Sequence, residues 1–349
     1  MIDGLLTSWD GERLVVSRDH ETGAWILIAL HSTQLGPAAG GTRMKPYPSL
    51  DAALEDVLRL SEGMTYKFAA PGLPFGGAKA VIAVPDNLNP EERQGLLRRY
   101  GEQIAQLDGT FLTGPDVGTS PEDMDVIAET GAPHVFSRTP AAGGAGDPGP
   151  YTALGVLTAI EVVGERLGLG VGDARIVVQG AGDVGGPLLE MLIATGASVA
   201  FSEIDEELNR RYRDEWGIES IAPDQALAAP CDVLAPCALG GVLSQEAIPY
   251  LRCRAIAGSA NNQLATSSDG VRLADRGILY APDFVTNVGG AMAISGMEAL
   301  GWSPAEADHH VRTYVAATLR AIFDTAASEG IDTAAAARRI AEHRLGKGG

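Results

Sequence analysis

Lysine is nearly absent from this chain. Of 26 basic residues only Lys45, Lys67, Lys79 and Lys347 are lysines, and the others are arginine. Arginine keeps its proton at any workable pH, whereas a lysine in a protein can release one. Codon bias toward arginine accounts for the scarcity. It does not account for the placing of Lys67 and Lys79 in one short glycine-, proline- and aromatic-rich run without another charge, and we expect a site there.

An excess of positive charge is also missing, since the formal net charge is −19. Nucleic acids and anionic membranes need a basic face, so neither is an expected partner. No apolar run approaches the ~20 residues of a membrane span. The first residues lack the charged and apolar regions of an export signal, which predicts a cytoplasmic protein.

Sulfur and imidazole ligands are scarce as well. Cys231, Cys237 and Cys253 show no CxxC spacing, which favours reduced thiols in a cytoplasm. The six histidines form no HxxxH or HExxH pattern. The sequence therefore predicts that there is no metal site.

Length and apolar periodicity predict an α/β protein of two domains. A chain of 349 residues exceeds one ordinary core. Apolar residues recur with the strand period or the helix period in alternating segments. Predicted strands cover residues 24–31, 78–84, 110–113, 174–179 and 197–202; predicted helices cover 49–61, 90–107, 121–129, 152–164, 186–195, 304–328 and 333–345.

The clearest change in composition is a Gly/Ala/Pro-rich strip at residues 141–150, which predicts a flexible connection between domains. It separates residues 1–140 from the rest of the chain.

A dinucleotide signature follows the predicted strand that ends at Gln179. Gly180, Gly182 and Gly185 form GxGxxG, and the next predicted strand leads into Glu203. The glycines allow a tight turn, approach of the pyrophosphate and close packing of helix on strand, and the helix N-terminus attracts phosphate. Glu203 is expected to hold the adenine ribose and to repel a 2′-phosphate, which favours NAD over NADP. The expected cofactor contacts here are Gly180, Gly182, Asp183, Val184, Gly185, Glu203 and Ile204.

A dehydrogenase that acts on a carboxylate substrate needs a cation to hold the carboxylate and an acid–base group near the carbon that loses hydride. Lys67 and Lys79 suit these two tasks. Asp116, between a predicted strand and a predicted helix, adds a carboxylate. Taken alone, Asp116 is better explained as an ordinary acid at a helix N-terminus.

Together these motifs resemble the Glu/Leu/Phe/Val amino-acid dehydrogenases over nearly the whole chain. The resemblance implies a catalytic and substrate α/β domain at residues 1–140, joined by the C-terminal helix at 329–349. It also implies a Rossmann domain that binds NAD at 141–328, a cleft between the two domains, and a homo-oligomer with most subunit contacts on the first domain. The motifs are 36–43 (GPAAGGTR), 67–79, 114–118 (GPDVG), 143–146 (GGAG), the GxGxxG, 236–238 (PCA), 261–263 (NNQ) and 287–290 (NVGG).

The resemblance implies reversible oxidative deamination of an L-amino acid with NAD⁺ and water, giving a 2-oxo acid, ammonia and NADH. Lys67 should hold the substrate carboxylate, Lys79 should activate water, and Asp116 should exchange protons and hold the amino group. Asn262 should serve both substrate and nicotinamide. Further substrate contacts are expected at Gly40, Gly41, Met64, Ala39, Gly114, Pro115, Ala291 and Ile294, and further cofactor contacts at Thr152, Cys237, Ala238 and Ala260.

The side-chain pocket indicates an apolar substrate. The glutamate branch carries lysine at the Ala39 position and serine at the Ile294 position, whereas both residues are apolar here. Ala39, Gly114-Pro115 and Ala291 match the phenylalanine dehydrogenase pattern, so an aromatic substrate is predicted, with leucine or valine as the alternative. The motif also carries Ala78 where the family usually has glycine, and a methyl there could crowd Lys79.

Two other classes of function remain open. A sensor that binds NAD or an amino acid without turnover has no need of both Lys79 and Asp116. A hydroxy-acid or malic dehydrogenase needs metal-binding acids or a His–Asp base, which the scattered histidines do not supply. An amino-acid dehydrogenase is therefore the favoured prediction.

Overall fold

The computed structural model describes residues 2–346, except for the side chains of Ile2 and Asp3. Residues 347–349 lie outside the described residues. They include Lys347 and the end of the C-terminal segment 329–349 that is predicted to join the first domain. The described chain forms two compact units: residues 2–147, 294–302 and 342–346, and residues 148–293 and 303–341. These differ from the predicted domains, because the first unit extends to 147, includes 294–302 and resumes at 342 instead of 329.

The first unit is built on a five-stranded sheet in the order β1-β2-β4-β3-β5. Strands β3, β4 and β5 are parallel, whereas β2 is antiparallel to both β1 and β4. The helices and strands are α1 (Ile2–Ser8), β1 (Arg13–Arg18), β2 (Trp25–Ser32), β3 (Ala38–Lys45), α2 (Leu50–Ala69), β4 (Gly76–Ala83), α3 (Pro90–Gln106), β5 (Phe111–Pro115) and α4 (Pro121–Gly131).

Alternation along the strands gives this sheet two apolar faces. Ala78, Ala80 and Ile82 of β4 pack with residues of α3 and α4. Val81 points the other way and packs with residues of α2. Lys79 has the parity of Val81, so it lies on the α2 face, opposite the methyl of Ala78.

Helix α2 is longer than its predicted span of 49–61. It starts at the predicted cap, where Ser49 accepts a hydrogen bond from Ala52 N, but it continues past Gly63 to Ala69. Met64 and Lys67 are consequently helical. The predicted glycine-rich run therefore divides between a helix that carries Lys67 and a strand that carries Lys79.

The second unit contains a parallel six-stranded sheet in the order β11-β10-β9-β6-β7-β8. The order reverses between β6 and β9, as in doubly wound folds. From residue 148 the chain forms α5 (Gly149–Leu167), β6 (Arg175–Gln179), α6 (Gly185–Ala194), β7 (Ser198–Ser202), α7 (Glu206–Arg210), β8 (Glu219–Ser220), β9 (Val233–Pro236), β10 (Ala255–Ile256), α8 (Ser268–Asp275), β11 (Leu279–Tyr280), α9 (Asp283–Thr286), α10 (Gly289–Ala299), α11 (Pro304–Glu329) and α12 (Thr333–Arg344).

The predicted α/β class with a Rossmann unit is confirmed. Within residues 2–346, no helix has the length and apolar character needed to cross a membrane. The Gly-rich strip is hydrogen-bonded in its middle: Ala145 N donates to Glu298 Oε1 at 2.8 Å, and the same oxygen accepts from Ser137 N, which precedes the strip, at 2.8 Å. A hinge role for this strip stays a prediction.

Candidate active site

The centre of the first unit's site is a contact between Lys79 and Asp116. Lys79 lies in the middle of β4, and Asp116 directly follows β5. Their Nζ and Oδ1 atoms are 2.7 Å apart, and the side chains are only 7% and 15% exposed. A charge pair with so little water around it interacts more strongly than a pair on the surface. The two residues that were expected to handle protons are therefore in direct contact.

Strand β3 separates these two residues, and its glycines allow them to meet. In the sheet order β3 lies between β4 and β5, and Gly41 pairs with Gly114. A Cβ atom added to Gly41 would come 2.5 Å from Pro115 O and 3.0 Å from the Asp116 Cβ. A Cβ on Gly40 would come 1.7 Å from Ala78 O. Gly41 thus keeps a side chain out of the space between Lys79 and Asp116, while Gly40 allows β3 to lie close to the backbone of β4.

Asp116 has a second cationic partner, Arg43 of β3. Arg43 Nε donates to Asp116 Oδ2 at 2.7 Å, so each carboxylate oxygen accepts from a different cation. Arg43 Nη1 also donates to Asp56 Oδ2 of α2 at 3.0 Å. Asp56 accepts from the Tyr47 hydroxyl at 2.6 Å and from Arg59 Nη2 at 2.8 Å. The result is an alternating chain of charges along one face of the sheet.

These contacts determine the ionisation of Asp116. Burial raises the pKa of its carboxyl, but the charges and hydrogen bonds of Lys79 and Arg43 outweigh burial and hold that pKa well below its ordinary value. Burial lowers the pKa of Arg43, while Asp116 and Asp56 raise it, and the net shift is upward. Asp116 and Arg43 are therefore both charged at neutral pH.

Helix α2 lies directly against β4 next to both lysines. A Cβ on Gly77 would come 2.0 Å from Thr65 N, so the helix backbone almost touches the strand there. Lys67 follows Thr65 by two residues, and Lys79 follows Gly77 by two. Lys67 and Met64 are both partly buried on α2. The structure thus brings the two lysine-bearing segments together, although Lys67 comes from a helix and not from a loop.

The predicted pocket residues occupy several elements. Ala39 lies on β3 on the same face as Lys79 and is 3% exposed. Gly114 and Pro115 end β5, next to Asp116. Ile294 and Ala291 lie on α10; Ile294 belongs to the first unit and is buried, whereas Ala291 belongs to the second and is partly buried.

In the second unit the predicted cofactor residues lie at the carboxyl ends of neighbouring parallel strands. Gly180 follows β6, Glu203 follows β7, and Cys237 and Ala238 follow β9. Gly180 has φ +93°, and a Cβ there would come 2.7 Å from the Cβ of Ala238. Ligands of doubly wound sheets bind at this edge, near the reversal of strand order.

The turn after β6 has the form that a dinucleotide requires. A Cβ on Gly185 would come 1.9 Å from Gly180 O, so only glycine lets α6 start this close to the strand. Gly182 has open space around it and is exposed together with Asp183, while Val184 is half-buried before α6. Glu203 Oε2 accepts from Ala181 N at 2.7 Å, and its Oε1 accepts from Ile204 N at 2.7 Å. The carboxylate is thus held beside the turn, and these residues fit NAD.

Other predicted cofactor residues border the same edge. Asn262 has φ +51°, and its carbonyl accepts from Gly241 N at 2.7 Å. Ala260 is buried two residues earlier. Asn287 Nδ2 donates to Ser259 O at 3.0 Å and to Asn261 Oδ1 at 2.9 Å, while its buried Oδ1 has no hydrogen-bond partner among the described residues. This acceptor is available to a bound group, which again fits a dinucleotide.

Two more of the predicted cofactor residues are tightly packed. Thr152 Oγ1 donates to Pro148 O at 3.0 Å, and a Cβ on Gly290 would come 2.3 Å from Thr152 Oγ1. Burial raises the pKa of the Cys237 thiol, so this cysteine is neutral. Cys237 therefore contributes packing under the turn and not an anionic nucleophile.

Sequence reasoning assigned no role to Arg43, Asp56 or Tyr47. Arg43 stands in the quoted GGTR motif, two residues from Gly41 and thus on the same face of β3. That parity was an available signal. The sequence gave no such signal for Asp56 or Tyr47, because each looks like an ordinary residue of a helix or a loop. Glu298 is also unsignalled, since its partners lie more than 150 residues away.

A parallel sheet with a dinucleotide turn in one unit, and a buried lysine–aspartate pair in the other, define a nucleotide-dependent α/β enzyme with acid–base chemistry. Comparison with known proteins agrees. Residues 16–132 match the family model described as Glu/Leu/Phe/Val dehydrogenase, dimerisation domain, and residues 204–347 match that described as Glutamate/Leucine/Phenylalanine/Valine dehydrogenase. The chain belongs to this family and is an NAD-dependent amino-acid dehydrogenase.

Similar proteins cover nearly the full length. Leucine dehydrogenase of Bacillus cereus is 39% identical over 97% of this chain and 92% of its own. Valine dehydrogenase of Streptomyces virginiae is 41% identical over 96% and 93%. The crystal structure of L-tryptophan dehydrogenase from Nostoc punctiforme is 35% identical, has a TM-score of 0.81 and covers 99% of this chain and 98% of its own. The resemblance stated from the sequence is thereby confirmed.

Proposed function

We propose that the protein catalyses the reversible oxidative deamination of a hydrophobic L-amino acid. The amino acid, water and NAD⁺ yield the 2-oxo acid, ammonium, NADH and a proton. The observation that carries this proposal is the buried Lys79–Asp116 pair, with 2.7 Å between Nζ and Oδ1. A binding protein has no need of such a pair, whereas proton transfer in catalysis requires a donor and an acceptor in contact.

In this proposal Lys67 binds the substrate α-carboxylate and remains charged. Lys79, once neutral, takes a proton from the water that attacks the iminium carbon. Asp116 holds the amino group and exchanges protons with Lys79 along their hydrogen bond. Gly40 and Gly41 leave room for the substrate carboxylate beside the backbone. When bound, NAD⁺ supplies the hydride acceptor.

The cofactor part of the proposal assigns the adenine ribose to Glu203 and the pyrophosphate to the turn from Gly180 to Gly185. A fixed carboxylate beside this turn accepts hydrogen bonds from the ribose hydroxyls and repels a 2′-phosphate, so NAD is preferred to NADP. Asn262 and Thr152 are assigned to the nicotinamide side. The buried Oδ1 of Asn287, which has no hydrogen-bond partner among the described residues, supplies an additional acceptor for this side of the cofactor.

For the side chain of the substrate, leucine or valine is the first choice. The relatives at 36–41% identity over almost the full chain are leucine and valine dehydrogenases. A buried Ile294 also suits a branched aliphatic side chain better than a flat ring. The aromatic substrate predicted from the sequence becomes the second candidate. It is favoured by the small, buried Ala39 and by the similarity to a tryptophan dehydrogenase structure.

A substrate panel tests this choice. NADH formation would be followed at alkaline pH with L-leucine, L-valine, L-phenylalanine, L-tryptophan and L-glutamate. The expected result is the highest kcat/KM with leucine or valine and no turnover of glutamate, because Ala39 and Ile294, which are assigned to the side-chain pocket, are apolar and cannot compensate a buried second carboxylate. Higher kcat/KM for phenylalanine or tryptophan would instead establish the second candidate, and rapid glutamate turnover would contradict both.

Two arginine substitutions test the assigned roles of the lysines. Lys79→Arg keeps the charge but removes a proton that can leave, so kcat should fall by at least ~100-fold. Lys67→Arg keeps an anchor for a carboxylate, so it should mainly raise KM. Turnover by Lys79→Arg close to that of the unchanged protein would refute the role of Lys79 as base.

A homo-oligomer is also proposed, because residues 16–132 match the family's dimerisation domain. Light scattering of the purified protein measures its mass directly. A particle of one 36.2 kDa chain at micromolar concentration would contradict this part of the proposal.

A further inference from the structure

The two carboxylate oxygens of Asp116 have different partners: Oδ1 contacts Lys79, and Oδ2 contacts Arg43. Arg43 Nε donates to Oδ2 at 2.7 Å, while Lys79 Nζ donates to Oδ1 at 2.7 Å. The Arg43 side chain is 13% exposed, so little water competes for the bond. An arginine that contacts only one carboxylate oxygen prevents the group from rotating without blocking the oxygen that faces the lysine.

Arg43 is itself fixed in place. Its Nη1 donates to Asp56 Oδ2 at 3.0 Å, and that same oxygen accepts from the Tyr47 hydroxyl at 2.6 Å. The backbone beyond Asp116 is tied to β3 as well, since Met44 N donates to Val117 O at 2.9 Å. The guanidinium group therefore has little freedom to follow Asp116 if Asp116 moves.

The charges explain why such a residue is useful. When Lys79 gives up its proton, the buried Asp116 carboxylate loses one of its two cationic partners. A buried carboxylate without a partner is strongly unfavourable, so the proton would be drawn back. Arg43 cannot release its own proton and stays as the counter-charge throughout. Lys79 can then lose and regain its proton while the negative charge of Asp116 always has at least one cationic partner.

We propose that Arg43 is a positioning residue for the deamination reaction, which orients Asp116 toward Lys79 and keeps it ionised while Lys79 is neutral. The inference rests on the proposed function, because it assumes that Lys79 and Asp116 exchange protons. In this proposal Arg43 acts through its hydrogen bond to Asp116 and is assigned no contact with substrate or cofactor. Asp56, with Tyr47, holds Arg43 in the orientation that this task requires.

The test replaces Arg43 by alanine and measures kcat and KM separately. The expected result is a fall in kcat of about 100-fold, the scale of losing one acid–base function, with KM for the amino acid changed less than about threefold. Guanidinium chloride at roughly 50 mM, well below denaturing concentrations, should restore kcat about tenfold, because the small cation can occupy the vacated position. The same concentration of sodium chloride should not.

The matched control is Arg98→Ala, which removes another arginine–carboxylate pair of the same unit, with Glu129. Its kcat should equal that of the unchanged protein. If Arg43→Ala does not fold, as judged by circular dichroism and NADH binding, Arg43→Gln preserves most of the side-chain volume and is tested in the same way.

Each possible outcome either supports the role of Arg43 or contradicts it. Loss of kcat with unchanged KM and rescue by guanidinium supports the proposal. Turnover within threefold of the unchanged protein, a parallel loss through KM, or a loss that guanidinium does not restore overturns it. Asp116→Asn and Lys79→Arg, measured alongside, separate this failure from failure of the proposed function. If those two variants stay active, the proton-exchange mechanism itself is wrong.

Discussion

Replacing Ala78 by glycine separates stability from catalysis in this site. Ala78 stands where the resembling family usually has glycine, yet its methyl is fully buried and packs in the core on the α3–α4 side of the sheet. Removing it should cost about 0.8 kcal/mol for the buried methyl and about 0.5–1 kcal/mol for the flexibility of glycine in a strand. The free energy of unfolding should therefore fall by roughly 1.5 kcal/mol.

The same substitution should leave turnover unchanged. Successive side chains of a strand point to opposite faces, so the methyl of Ala78 points away from Lys79. Urea titrations measure the loss of stability, and initial rates of NADH formation measure kcat. Ala80→Gly is the matched control, because Ala80 is buried on the same face two residues later and should give a similar loss of stability.

An increase in kcat of more than about threefold for Ala78→Gly, without the corresponding increase for Ala80→Gly, would refute the argument. It would mean that the methyl crowds Lys79 through the backbone, as the motif comparison first indicated. Unchanged stability of both variants would also contradict it, because the buried methyl groups would then contribute nothing to the core.

Two further predictions concern a buried ion pair and the substrate pocket. The side-chain hydrogen bond from Arg99 holds the pKa of Asp19 at about 2 against an ordinary value of 3.8, despite burial. Because the folded pKa is the lower one, this pair stabilises the fold by about 2 kcal/mol above pH ~4 and is lost between pH ~4 and ~2. Asp19→Asn should therefore destabilise the protein in urea by about 2 kcal/mol at pH 7 and by about half as much at pH 3, and equal losses would contradict this. Ala39→Leu should lower kcat/KM for phenylalanine relative to leucine by about tenfold or more, since a methylene is worth ~1–3 kcal/mol in such a pocket; an unchanged ratio would exclude residue 39 from the pocket.

The parts of the fold that follow local rules were predictable. The β4 and β6 strands, and helices such as α3 and α4 that begin with a cap and a proline, agree with the predicted segments to within two residues. Strand β3 was not predicted, because Gly40 and Gly41 are poor strand residues by propensity. It forms because both neighbouring strands pair with it and need glycine at close range.

The candidate site was predictable where a motif carried it. Lys79, Asp116 and the glycine turn could be named from spacing and resemblance. The contact between Arg43 and Asp116 joins residues 73 positions apart and depends on strand order, which no local pattern specifies. The extension of α2 to Ala69 has the same kind of cause, since close packing of Thr65 on Gly77 favours helix beyond the exposed Gly63.

The scarcity of lysine acquires a physical meaning at Asp116. Two cations contact this carboxylate at the same distance of 2.7 Å, Lys79 from one side and Arg43 from the other. Geometry alone does not decide which of them gives up a proton. Side-chain chemistry does, because a lysine in a protein can release its proton whereas an arginine cannot. In the proposed reaction, lysine at position 79 therefore marks the side of Asp116 on which the proton moves, and arginine at position 43 marks the side on which the charge stays.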